Sequence, residues 1–342
     1  MRARLESVLN DIWYGSRPPG LVLRTLEKLY RPFSHAAWKR ELRLRAGDLE
    51  TEPVVVVGNI TAGGAGKTPL VIRLCELLSN AGLRPGVVSR GYGRQARDQL
   101  LVKDRHSARE VGDEPLLIHR RCGVPVMVGS NRVTAVRELL RAGVDIVISD
   151  DGLQRLRLPR ALEICVVDGA RGFGNGRLLP AGPLREAVSR IDSVDYVVCN
   201  GTPGSLTALR GSVVMHLAPG TPSSLDSGAT MDMEQLVLRS QAAPVNAVAG
   251  IGNPERFFNL LDELGVKALQ HRFSDHYRYT ARDFAGMADS LVLMTEKDAV
   301  KCAGLGLPDA WYLPVDARLP RAWEDEFINR AKEIAASRSG KP

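Results

Sequence analysis

The segment Val54-Val55-Val56-Val57-Gly58-Asn59-Ile60-Thr61-Ala62-Gly63-Gly64-Ala65-Gly66-Lys67-Thr68-Pro69 constrains this chain more than any other. Four consecutive valines read as a strand buried on both faces, which is the environment of a parallel sheet. The glycines break the strand, and Val71, Leu74, Cys75 and Leu78 then keep helical spacing until Gly82. A strand, a glycine-rich loop and a helix in that order suit an anionic phosphate, because main-chain N–H groups turn inward and the helix start adds its positive dipole end. Lys67 can then reach the β and γ phosphates of a nucleotide, and Thr68 a Mg²⁺ ion. Thr61 stands where the strict G-x-x-x-x-G-K-[ST] pattern has its first glycine, while Gly63 and Gly64 crowd the loop in the G-G-x-G-K-T manner of some NTPases. Thr61, Gly63, Gly64, Ala65, Gly66, Lys67 and Thr68 are therefore the candidate nucleotide-binding residues. A purely structural glycine turn would leave Lys67 without a reason.

The same alternation continues along the chain. Apolar runs at Val87-Val88, Val124 to Val128, Asp145 to Ser149, Leu162 to Val167 and Val194 to Cys199 read as buried strands, and Val133, Val136, Leu139 and Leu140 keep helical spacing before Gly143. The fold class expected is α/β, with a P-loop NTPase-like doubly wound parallel sheet. Gly-, Pro- and Ser-containing stretches at Asn200 to Ser205 and Pro219 to Gly228 mark a junction, with a hinge expected near Thr202 to Gly204 and Gly220. Beyond it, Val245 to Ala249, a helix opened by Pro254, Leu291 to Met294 and Trp311 to Leu313 make a second, smaller α/β domain, which a helix over Trp323 to Ala336 closes. The expected division is 1–50, 51–205 and 206–342, consistent with more than one core in 342 residues.

The first 50 residues have a different texture. They carry ten basic and six acidic side chains, and so supply +4 of the net charge of +7. Leu26, Leu29, Tyr30 and Phe33 share one helical face, with Arg24, Lys28 and Arg31 off it and Trp13, Tyr14 and Trp38 nearby. Two readings fit this pattern: an amphipathic helix lying on a membrane surface, or a helix packed on the domain with its charges solvated. No uninterrupted run of 18 apolar residues occurs and no apolar signal-peptide core follows Met1-Arg2-Ala3-Arg4, so neither secretion nor a conventional membrane span is expected. The five cysteines are odd in number, dispersed and without a C-x-x-C pair, which fits a reducing cytoplasm rather than a zinc or redox site. The basic residues are spread without a nucleic-acid motif, so the expected partner is some other anion and not nucleic acid.

A second strand ends in acids: Asp145-Ile146-Val147-Ile148-Ser149-Asp150-Asp151-Gly152. Carboxylates at the C-terminal end of a parallel strand face the same crevice as the phosphate loop. Mg²⁺ prefers hard oxygen ligands, so Asp150 or Asp151, with Thr68 and phosphate oxygens, composes a metal site. The alternative is a plain turn.

Several motifs in order resemble those of the tetraacyldisaccharide 4'-kinase (lipid A 4'-kinase) family. They are the phosphate loop Gly58 to Pro69, Ser89-Arg90-Gly91-Tyr92-Gly93, Val111-Gly112-Asp113-Glu114-Pro115, Asp150-Asp151-Gly152-Leu153-Gln154, Phe173-Gly174-Asn175-Gly176, Leu179 to Glu186 and Thr295-Glu296-Lys297-Asp298. The resemblance implies transfer of the γ-phosphate of MgATP to the 4'-hydroxyl of a tetraacyldisaccharide 1-phosphate, in lipid A synthesis at the cytoplasmic face of the Gram-negative inner membrane. Such an acylated, anionic acceptor makes sense of an N-terminal helix lying on the membrane. It also implies that Asp113 is the catalytic base, that His276 of Phe273-Ser274-Asp275-His276-Tyr277 pairs with it, and that Lys67 completes the catalytic set. Arg90, Arg132, Gln154, Arg185 and Glu186 match loops expected to bind substrate; which arginine serves which phosphate stays open. Because His276 falls in the second domain, the resemblance implies domain closure during catalysis.

Two rival readings belong to other classes. A regulatory GTPase with the same loop would use Thr295-Glu296-Lys297-Asp298 to read guanine, although Glu296 intervenes and Lys297 adjoins Asp298 directly. A non-enzymatic membrane-surface binder would leave Asp113, His276 and the Asp150-Asp151 pair without roles.

Overall fold

Residues 2–43, 52–94, 98–203, 209, 211–287 and 290–339 are described by the computed structural model. Two helices, α1 (Arg2–Tyr14) and α2 (Leu21–Arg43), precede the first strand β1 (Val54–Gly58). The phosphate loop follows, and then α3 (Lys67–Asn80), β2 (Pro85–Ser89), the short β3 (Leu100–Leu101), α4 (Ala108–Val111), α5 (Asp113–Cys122), β4 (Val126–Val128), α6 (Arg132–Arg141), β5 (Ile146–Ser149), β6 (Leu162–Asp168), β7 (Tyr196–Asn200) and β8 (Val213–Pro219). A second group comprises β9 (Ser223–Ser224), α7 (Met233–Ala242), β10 (Val245–Ala249), α8 (Pro254–Glu263), β11 (Ala268–Arg272), β12 (Val292–Thr295), α9 (Glu296–Cys302) and β13 (Ala310–Leu313). The chain ends with β14 (Val315–Arg318) and α10 (Arg321–Ser339).

The valine run of β1 is explained by its central position. Val55 and Val57 face one apolar core with Leu70, Leu74 and Leu78 of α3, while Val54 and Val56 face a second core with Val136, Leu139 and Leu140 of α6. Helices therefore cover both faces of a sheet in the order β14-β8-β7-β6-β1-β5-β2-β4-β3, parallel except at its two edges. The sequence leaves β1 for β2, two positions away on the β5 side, whereas β6 lies on the other side of β1. This is the switch point at which open α/β sheets bind ligands.

The second sheet, β11-β10-β12-β13-β9, is parallel except for β9. Its extent differs from the expected division at 205/206. β8 pairs with β7, and β14 returns to pair with β8, so 213–219 and 315–318 belong to the first sheet. The chain crosses between sheets at Gly220 and Pro314, which lie side by side, the Gly220 N–H donating to the Pro314 carbonyl at 2.9 Å. Of the expected hinge, Gly204 lies outside the described residues. The closing helix α10 also belongs to the first sheet: Trp323, Phe327 and Ala331 share the core of α3, and Arg73 of α3 pairs with Glu324 at 2.9 Å.

α2 turns polar groups toward the protein. Glu27 is buried and accepts from Arg177 at 2.9 Å and the Leu178 N–H at 3.1 Å, and the Tyr30 hydroxyl donates to the Arg185 carbonyl. Leu21, Val22, Leu26, Leu29 and Phe33 are exposed, Phe33 by 72%. Tyr30, at the edge of that face, is half-buried with its hydroxyl turned to the protein, and the side chain of Trp38 lies outside the described residues. Among the described residues, no helix is long and apolar enough to cross a membrane.

Candidate active site

Register sets the site. Val56 of β1 pairs with Ser149 of β5, so the loop after Gly58 and the acids after Ser149 emerge side by side. Gly66 holds a left-handed φ of 93°, and an added Cβ would fall 2.1 Å from Asn200 Nδ2, which itself donates to the Ala65 carbonyl at 3.1 Å. Asn59 ties the other end, donating to the carbonyls of Thr61 at 2.8 Å and Gly63 at 3.3 Å and accepting from Lys67 Nζ at 3.1 Å. Sequence reasoning passed over Asn59 and Asn200, whose roles depend on the folded loop; their positions at the ends of β1 and β7 were the available signal.

A cleft of about 1350 Å³ opens over this loop, lined by Gly63 to Thr68, Asp150, Asp151, Arg90, Arg132, Arg185 and His276. Thr61 is not in the lining. Its main chain bridges to Leu184 and its carbonyl receives Asn59, so it shapes the loop, and Ala62 stands at the cleft instead.

The two aspartates differ in kind. Asp151, with φ 50°, pairs with Lys67 at 3.4 Å and Arg185 at 3.3 Å. Burial opposes its charge, but Lys67, Arg185 and Arg132 outweigh burial and hold the carboxyl well below the usual carboxylate range. Asp150 is fully buried; burial first, then Glu114 and Asp151, push its carboxyl up to about 7. Its Oδ2 accepts from Ser89 Oγ at 3.0 Å, whereas its Oδ1 has no hydrogen-bond partner within the protein. A buried carboxylate oxygen without a donor is what a hard cation would satisfy, so the residues present fit Mg²⁺. Among the described residues no cluster of three or more His, Cys, Asp or Glu could hold a metal. Mg²⁺ sites completed by substrate phosphates have that sparse protein shell.

Arg132 lines the cleft but is buried, and one of its nitrogens donates to the carbonyls of Asp150 at 2.8 Å and Asp151 at 2.9 Å. It braces the turn that carries the aspartates. Gln154 and Glu186 also lie off the lining: Gln154 Nε2 donates to the Asn59 carbonyl at 2.9 Å and to Glu186 at 2.8 Å, and Gln154 Oε1 receives Arg185 at 3.4 Å. Arg90 and Arg185 remain as cleft cations with exposed surface.

His276, in the turn that follows β11 of the second sheet, has φ 57°, and its Nδ1 lies 2.8 Å from Asp113 Oδ2. A non-glycine residue at positive φ costs about 1–3 kcal/mol and persists where surrounding contacts hold it. Asp113 is the first residue of α5, behind Gly112, and is buried; it reaches the cleft through the imidazole. Burial would raise its pKa, but Lys297 and His276 reverse that and hold it well below the usual carboxylate range. The closure inferred from the sequence is not needed to bring these two residues together. The second sheet also meets the phosphate loop, where Gly252 packs on Gly64 and Arg171 donates to the Gly252 carbonyl at 2.9 Å.

Thr295-Glu296-Lys297-Asp298 does not read a base. Thr295 caps α9, and Asp298 is fully buried, accepting from the Gly250 N–H, Tyr279 and Thr295 and pairing with Lys301 at 2.6 Å. No edge of that carboxylate is left for guanine.

A glycine-rich loop at the switch point, with a lysine inside it and paired aspartates on the adjoining strand, defines a P-loop phosphotransferase. The family model of the tetraacyldisaccharide-1-P 4'-kinase matches residues 20–332, and the chain belongs to that family. It is 42% identical to the tetraacyldisaccharide 4'-kinase of Shewanella oneidensis, covering 98% of this chain and 99% of that one. It is 46% identical to the enzyme of the same name from Pseudomonas fluorescens, over 93% and 95% of the two chains. Among solved structures, the "apo" form LpxK from Aquifex aeolicus in complex with ATP superposes with a TM-score of 0.69 at 28% identity, covering 90% of this chain and 99% of that chain.

Proposed function

We propose that this protein is an ATP-dependent lipid kinase that transfers the γ-phosphate of MgATP to the 4'-hydroxyl of tetraacyldisaccharide 1-phosphate. The observation that carries the reading is the meeting of three parts at one cleft: the phosphate loop, the Asp150-Asp151 turn and the Asp113–His276 pair.

The N–H groups from Gly63 to Thr68 cradle the phosphates, and Lys67 exchanges Asp151 for phosphate oxygens when nucleotide enters. Thr68, Asp150 and Asp151 are the residues that would hold Mg²⁺, which would offset the negative charge of the phosphates when bound. The acceptor oxygen attacks the γ-phosphorus, the bond to the β–γ bridging oxygen breaks, and ADP leaves. The Asp113–His276 pair takes the hydroxyl proton: the imidazole is the cleft-facing member, and the Asp113 carboxylate fixes its orientation. Arg90 and Arg185 serve the phosphates of ATP or the acceptor's 1-phosphate, since planar guanidinium groups bind phosphate bidentately. The smaller sheet moves about the double crossing at Gly220 and Pro314 to admit substrates.

The apolar face of α2, with Arg24, Lys28 and Arg31 beside it, lies on the cytoplasmic surface of the inner membrane and meets the lipid headgroup there. The deciding experiment is transfer from γ-labelled ATP to tetraacyldisaccharide 1-phosphate in detergent micelles with Mg²⁺, wild type beside Lys67→Ala. Labelled lipid from the wild type alone supports the reading; ATP hydrolysis without labelled lipid overturns it.

A further inference from the structure

The first turn of α9 carries Lys297 into the interface between the two sheets. Its Nζ lies 3.0 Å from Glu114 Oε1, 3.2 Å from Asp275 Oδ1 and 3.8 Å from Asp113 Oδ2. The backbone on either side is fixed, by the Thr295 cap before it and the buried Asp298 after it. Asp113 faces His276 at 2.8 Å and Lys297 at 3.8 Å, with Glu114 its neighbour in α5, Asp275 beside His276, and Lys301 of α9 acting on it at longer range.

Three carboxylates gathered around one point repel one another, and a cation among them offsets that repulsion. A proton gained by Asp113 would remove the acceptor that orients the imidazole. The ammonium suits the task because its three N–H donors can point at three separate carboxylates, where a guanidinium is a planar fork. We propose that Lys297 is a positioning residue for phosphoryl transfer: from the second sheet it balances Asp113, Glu114 and Asp275, and so keeps Asp113 a carboxylate and His276 aimed at the cleft. This rests on the reading of the Asp113–His276 pair as proton acceptor. The Thr295-Glu296-Lys297-Asp298 motif then divides its work, with Thr295 and Asp298 building the helix start and Lys297 serving the catalytic pair across the interface.

The test is a double-mutant cycle on the full chain in micelles at saturating MgATP, with Lys297→Met, Asp113→Asn, the two combined, and Lys297→Arg. Expected is a fall in kcat of at least about tenfold for Lys297→Met with the KM for ATP within about twofold, and no further loss from Lys297→Met once Asp113 is Asn, since the two act as one unit. Lys297→Arg, which keeps the charge but not the three-way donor geometry, recovers only part of the loss. Equal fold losses in both Asp113 backgrounds would make Lys297 merely structural and overturn the proposal. Near-normal turnover by Asp113→Asn alone would instead remove the catalytic-pair reading beneath it. If Lys297→Met does not fold, Lys297→Met with Glu114→Gln, which deletes one charge of each sign, is compared with Glu114→Gln in the same cycle.

Discussion

Lys67 Nζ is held 3.1 Å from Asn59 Oδ1, so the loop's only lysine is anchored at the end of the strand that begins the loop. Asn59 shapes the loop and aims its cation with one side chain. Lys67→Ala removes charge stabilisation from the transferring phosphoryl group and is expected to lower kcat by about 10²–10³-fold. Asn59→Ala leaves the charge but frees the loop, and should weaken ATP binding by roughly tenfold, the scale of one hydrogen bond to a charged group. Labelled-phosphate transfer and nucleotide titration separate the two effects.

Gly66→Ala should fail differently. Beyond the cost of about 1–2 kcal/mol for a left-handed residue with a Cβ, the new methyl would meet Asn200 Nδ2 at 2.1 Å and break its bond to the Ala65 carbonyl. The variant is expected to lose ATP binding and to melt several degrees lower. Wild-type nucleotide affinity in a folded Gly66→Ala protein would contradict this account of the loop.

Asp150 predicts a pH dependence. Its carboxyl stands at about 7 in the folded protein against an ordinary value of 3.8. The folded state therefore keeps a proton that the unfolded state has already lost, and stability falls as pH rises through that window, by about 1 kcal/mol per unit, until the contribution is gone above pH 7. A cation at the orphaned Oδ1 competes with that proton, so MgATP should stabilise more at pH 8 than at pH 5. Thermal melts at both pH values check this, and Asp150→Asn should flatten the slope and abolish the Mg²⁺-dependent gain.

What the sequence made legible follows distance along the chain. Gly63 to Thr68 and Asp150-Asp151 are local patterns whose residue types state their chemistry, and the valines of β1 announce a strand covered on both faces. Asp113 and His276 are 163 residues apart, and no spacing rule joins them; only the family resemblance did. β14 escaped because four residues carry little periodicity and their pairing with β8 becomes visible only when the chain returns from the second sheet. Arg132, Gln154 and Glu186 were read as substrate-binding from the loops they sit in, and a polar side chain in a loop does not disclose that its partners within the protein are carbonyls and neighbouring side chains. In α2 the pattern showed two faces but not which one met the protein, and the buried Glu27 decided that.

The C-terminal helix gives a stability prediction. Phe327 is fully buried in the core that α3 shares, stacked on Trp323 with ring centroids 5.6 Å apart. Phe327→Ala should cost about 3–5 kcal/mol. Because α10 packs on the helix that begins at Lys67, nucleotide binding should fall with stability, and MgATP should partly restore the melting temperature. Chemical denaturation with and without MgATP measures both.

The exposed row Leu26, Leu29 and Phe33 bears on the membrane. Solvent covers these side chains while neighbouring Glu27 and the Tyr30 hydroxyl are engaged with Arg177 and Arg185, so α2 is held to the protein by polar contacts and keeps Leu26, Leu29 and Phe33 exposed. Replacing all three with Ser removes apolar area without touching those contacts, and should lower partitioning onto anionic vesicles by at least about tenfold while leaving the melting temperature within about 2 °C. Turnover on vesicle-borne acceptor should fall in step, and the KM for ATP should not change. Unchanged partitioning of the triple variant, or of a chain lacking residues 1–41, would move the membrane contact away from α2.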